Sequence, residues 1–170
     1  MAVARHAEPL ATLLANYRLT TLVRRARTAL LTPVLAALLA GCGSKPLGVS
    51  EYRTRATAIC IAEKQRSEQV REPRTPADVP DFVNQGLRLV KPAISKLAAL
   101  RPPESLRPDH DRVIDLLNRE LALIAAADAK LRARAEPLAT FGALEPKLRP
   151  LVRAEDERWS ALGLPECRHQ

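Results

Sequence analysis

Residues 108–135 read PDHDRVIDLLNRELALIAAADAKLRARA, and their spacing decides the fold. Val113, Leu116, Leu117, Leu121, Ile124, Ala127 and Leu131 return to one side at intervals near three and four, the signature of a helix with one apolar face. Asp115 with Arg119 and Asp128 with Arg132 stand four apart and predict ion pairs on the wet side. The helix is predicted from Ser105 or Pro108 to Ala135, because Arg101-Pro102-Pro103 is a hard stop just upstream.

The neighbouring segments carry the same pattern with weaker faces. Upstream, Phe82, Val83, Leu87, Val90, Ile94 and Leu97 predict a helix that starts near Thr75, Asp78 and Pro80 and ends at about Leu100. Pro92 inside it predicts a kink near Arg88, since proline has no amide to give that carbonyl. Before that, Ser50 as N-cap, Glu51 in the first turn, and Tyr52, Ala56, Ile59, Cys60 and Ala62 predict a helix over 50–72, closed by Pro73 and Pro76. Its stretch Arg66, Glu68, Arg71, Glu72, Arg74 reads as solvated surface. Downstream, residues 138–150 predict a ragged beginning, followed by a firm helix through Leu151, Val152, Glu155, Trp159 and Leu162, with Trp159 in the core. Gly163 reads as its C-cap, with Pro165 beyond. Four such segments on short linkers predict an all-α fold, an antiparallel four-helix bundle over 50–167.

Composition agrees with helices. Of 170 residues, 46% are hydrophobic, 27% charged and 3% aromatic, with 14 prolines and six glycines. That is too apolar for a disordered chain and too charged for a multi-span membrane protein. The formal charge of +8 is uneven: five of the 27 basic and one of the 19 acidic residues precede Cys42, so the remainder carries +4. No basic cluster or set of stacking aromatics follows Cys42, so nucleic acid is not an expected partner.

The segment before residue 42 reads as an address. Arg24, Arg25 and Arg27 precede a 13-residue apolar run from Thr28 to Ala40. As a helix, the run spans about 20 Å at roughly 1.5 Å per residue, short of the roughly 30 Å hydrocarbon core, so an export signal fits better than a membrane span. Leu39-Ala40-Gly41-Cys42 resembles the lipobox of bacterial lipoproteins. The resemblance implies that residues 1–41 are a signal peptide, that the Cys42 thiol receives a diacylglyceryl group, and that cleavage falls just before it. Residues 1–22 then read as an over-long leader, with translation starting at Val23. Residues 42–49 become the lipid attachment point and a tether whose Gly, Ser and Pro oppose regular structure. The expected place is outside the cell, lipid-anchored to the outer face of the cell membrane; the membrane and an envelope protein are the expected partners.

Cys60 and Cys167 remain. In an exported domain their simplest state is a disulfide, with two buried free thiols as the alternative. The order of lipobox, polar tether, Ser50-Glu51-Tyr52, Ala58-Ile59-Cys60, Leu-Ala-Ala-Leu-Arg-Pro-Pro over 97–103 and Leu-Gly-Leu-Pro-Glu-Cys over 162–167 resembles a class of small helical bacterial lipoproteins of actinobacterial type. That class brings support for the bundle and the Cys60–Cys167 pair, and no activity.

Motifs for chemistry are sparse. Asp109-His110-Asp111 is the one cluster shaped like a site, but adjacent helical residues point about 100° apart, so both acids cannot orient one imidazole. An acidic first turn is the plainer reading. No Glu-x-x-His repeats, phosphate loop, HExxH or nucleophile elbow occurs, and His169 reads as part of a frayed tail. The expectation is a non-catalytic binding or structural module with no cofactor and no metal. The alternative is a small-ligand or metal-binding bundle, its ligand held between the second and third helices among Leu87, Val90, Val113 and Leu117.

Overall fold

The computed structural model describes residues 45–169. Leu39, Ala40, Gly41, Cys42 and the helix expected for the signal peptide lie outside the described residues. Four α-helices follow in order: α1 (Val49–Ser67), α2 (Val79–Ala98), α3 (Arg107–Arg132) and α4 (Pro137–Leu162), with 3-10 turns at Pro76–Asp78, Glu104–Leu106 and Pro165–Cys167. They form the all-α four-helix bundle that the periodicity predicts. Successive helices pack on one another, α3 on α4 most extensively, and α1 also meets the last 3-10 turn. Among the described residues no helix is long and apolar enough to cross a membrane.

The boundaries follow local chemistry. α1 stops at Ser67 rather than Glu72: the Ser67 hydroxyl donates to the Lys64 carbonyl, and the exposed residues that follow offer the helix no apolar face to bury. Asp78 accepts from the Arg74 amide and from the Thr75 amide and hydroxyl, which fixes the turn into α2. These bonds hold the Asp78 carboxyl below its ordinary pKa, the Thr75 hydroxyl contributing most. Pro92 stands inside α2 without ending it, because Arg88 and Pro92 are both exposed and water can take the carbonyl left without an amide.

α4 departs most from expectation. It begins cleanly at Pro137 and runs unbroken through Pro146 and Pro150. The two prolines are four apart and both exposed, so the carbonyls they leave unpaired share one water-facing side. Glu136 starts the helix by accepting from the Leu138 and Ala139 amides at 2.9 and 2.6 Å. Glu136→Ala is expected to cost about 1 kcal/mol of stability by loss of this cap, as read by urea unfolding. At the far end Gly163 takes φ +70°. A Cβ there would also lie 2.9 Å from the Arg53 guanidinium, which donates to the Leu162 carbonyl, so a side chain meets backbone strain and must displace the end of Arg53 from that bond.

The core gathers at the end where α1 and α3 begin and α2 and α4 finish. Tyr52, Ala56, Leu97, Val113, Trp159, Leu162 and Leu164 form one buried cluster, and Cys60, Leu117 and Cys167 pack against it. Trp159 is in the core, as its spacing predicts. Toward the other end Val83, Leu131 and Leu144 are buried. Cys60 and Cys167 form a disulfide across 107 positions, with Cα atoms 5.2 Å apart. It ties the middle of α1 to the turn after α4.

Candidate functional site

The Asp109-His110-Asp111 cluster disperses into three roles. Asp109 turns to α4 and pairs with Arg158 at 3.0 Å. His110 turns inward, 3% exposed, and its Nδ1 lies 2.9 Å from the Tyr52 hydroxyl of α1. The two rings meet edge to face at 5.6 Å. Asp111 stays exposed. Burial pushes the His110 imidazole below its ordinary pKa, with the Asp111 charge opposing, which favours the neutral ring. The same burial, aided by Asp111, pushes the Tyr52 hydroxyl up to about 12. This pair works as a buried polar joint between α1 and α3. Of the residues expected to line a ligand space between the second and third helices, Val113 is fully buried in the apolar cluster with Leu117 packed against it, and Leu87 and Val90 are half-buried.

A different constellation gathers where α3, α4 and the C-terminal tail meet. Glu120 of α3 and Glu155 of α4 are both buried, and His169 of the tail is exposed. Each places one ligand atom within 4.8 Å of the other two. Glu155 is 0% exposed, and neither of its carboxylate oxygens meets a hydrogen-bond donor; one Glu120 oxygen is buried in the same condition. The other charged groups bearing on Glu155 are acidic, Glu120 and Asp156. Burial first, then the Glu120 charge, pushes the Glu155 carboxyl up to about 9. Glu120 is raised by burial as well, with His169 opposing. Glu63 of α1 has a buried oxygen without a donor, and burial raises it against the pull of Arg66 and His169.

The tail is ordered over this cluster. The His169 amide donates to Asp156 Oδ1 at 2.9 Å, and the ring Nδ1 lies 3.3 Å from the same oxygen. The Cys60–Cys167 bridge fixes the chain two residues earlier. The frayed tail that the sequence suggests is therefore corrected: the disulfide and the Asp156 carboxylate hold it. Asp128, expected on the wet side, is also corrected. It is 8% exposed, pairs with Arg132 at 2.8 Å and leaves Oδ1 without a donor.

Two of the cluster residues carried a readable signal. Glu120 falls four after Leu116 and Glu155 falls four before Trp159, both in the buried register of their helices. A carboxylate in a core slot is the pattern to look for. His169 carried none, because only the disulfide and the fold bring it back. Beside the cluster a shallow depression of ≈ 420 Å³ opens on α4, with Arg149, Arg153 and Arg168 along it. Comparison of the chain with protein-family models, with curated proteins and with solved structures finds no match.

Proposed function

We propose that the chain is an exported lipoprotein: a helical, disulfide-closed module held by lipid on Cys42 at the outer face of the cell membrane, serving as a binding or structural element without catalysis. The observation that carries the reading is the order Arg24-Arg25-Ala26-Arg27, apolar run, Leu39-Ala40-Gly41-Cys42, placed ahead of a bundle whose two remaining cysteines are joined. Structural disulfides of this kind belong to oxidising compartments. Two or more acyl chains anchor a protein stably where one does so only marginally, which suits a diacylglyceryl cysteine. The non-catalytic part is supported by His110, whose ring is committed to Tyr52 in the core and turned away from solvent. An envelope protein is the partner class that goes with this address.

Metabolic labelling tests the proposal. Radiolabelled palmitate is expected in the wild-type chain, in the membrane fraction, and absent from Cys42→Ala, which accumulates as the longer precursor. An unlabelled wild-type chain that stays in the cytosol would refute it.

A further inference from the structure

We propose that Glu120, Glu155 and His169 form a site for one divalent transition-metal cation of the zinc class, with Asp156 behind the histidine and the Cys60–Cys167 bridge holding the histidine in place. The inference is independent of the lipid anchor. Its geometric basis is three ligand atoms from α3, α4 and the tail, mutually within 4.8 Å. The second observation is Glu155 itself. It is fully buried, aimed into the cluster, and meets no donor on either oxygen beyond a proton it could share with Glu120.

Charge decides between the ways of satisfying this group. Two ionised carboxylates and one dication sum to zero. One proton shared between the same carboxylates leaves one negative charge in the cluster, with Asp156 adding to it and only the exposed His169 to oppose it, and a buried charge is costly to remove from water. Donor chemistry then narrows the metal. One imidazole and two carboxylates form a mixed nitrogen and oxygen set of the kind zinc accepts, whereas calcium and magnesium favour oxygen alone. The contact of the histidine ring with Asp156 would suit the task. An imidazole whose Nδ1 donates to the Asp156 carboxylate carries its lone pair on Nε2, the tautomer a metal takes, and a carboxylate behind the ring makes it a better ligand. Three protein ligands leave a coordination position open, and His169 stands at the exposed side, where water or an external ligand has access.

The experiment uses the full chain without a histidine tag, purified in detergent with its disulfide intact and stripped by a chelator. It is titrated with zinc chloride and, in parallel, with cobalt, calcium and magnesium chlorides. The expected result is one equivalent of zinc per chain, a cobalt absorption spectrum in the visible, and no saturable calcium or magnesium binding. Glu155→Gln and Glu120→Gln should abolish zinc uptake. Asp156→Asn should weaken it about 10- to 100-fold, the usual effect of removing the group behind a metal-bound histidine. His169→Ala should weaken it at least as much, and this exposed tail residue can change without threatening the fold. The Cys60→Ser/Cys167→Ser pair, shown to be helical by circular dichroism, should also bind more weakly. No saturable uptake by the stripped wild type would overturn the proposal and leave a proton as the only occupant. Uptake unchanged in both His169→Ala and Glu155→Gln would overturn it too, by placing the metal elsewhere.

Discussion

Removing the Cys60–Cys167 bridge is expected to lower the stability of the bundle by up to about 4–5 kcal/mol, the loop-closure value for a bridge of this span. The linked positions lie 107 apart, so the bond encloses most of the described chain. Domains of this size are stable by only about 5–15 kcal/mol, so the loss should move the thermal midpoint by on the order of 15 °C. The structure also says where the loss begins. Leu164 is fully buried and its amide donates to the Trp159 carbonyl at 2.9 Å, so the chain stays docked to that point. Beyond it, Cys167 is the covalent tie and the His169–Asp156 contact a weak one. Thermal unfolding of Cys60→Ser/Cys167→Ser beside the oxidised wild type checks the expectation, and superimposable curves would contradict it.

Glu155→Gln, measured in chelator, is expected to stabilise the domain by about 1–3 kcal/mol at neutral pH, the scale of an unsatisfied buried polar group. The amide is neutral without having to bind a proton on folding beside Glu120 and Asp156, and it can donate to Glu120. The sign of the pH dependence follows from the folded-state value of about 9 against an ordinary 4.5. The folded chain holds a proton that the unfolded chain has released. Stability is therefore full below about 4.5 and falls as pH rises through about 9. The advantage of the glutamine variant should widen over that window. Some slope remains in the variant, because Glu120 shifts in the same direction. Around the pair stand Asp156 on α4 and His169 on the tail, with Glu63 of α1 near that histidine. Urea unfolding at pH 5, 7 and 9 reads the effect; parallel profiles for the two proteins would rule it out.

The long regular face of α3 was legible because one-dimensional spacing reports a helix that packs along its length. Gly163 was legible because a left-handed residue at a helix end has few candidates. The first half of α4 was not, since Pro146 and Pro150 break local rules that exposure on a common side forgives. Asp109-His110-Asp111 scatters in the structure, and the partner of His110, Tyr52, lies 58 positions away where no local pattern reaches. The acidic cluster was half legible. Glu120 and Glu155 sit in core register, whereas Glu63 and His169 join only through tertiary folding and the disulfide. Leu39, Ala40, Gly41 and Cys42 lie outside the described residues, so the proposed address rests on residue order alone.

The C-terminal position of Cys167 and His169 has a consequence for timing. Under the proposed export from the N-terminus, Cys60 would cross the membrane well ahead of Cys167 and His169, since its disulfide partner lies 107 positions further along the chain. Covalent closure and completion of the histidine–carboxylate cluster would then wait until Cys167 and His169 have both crossed.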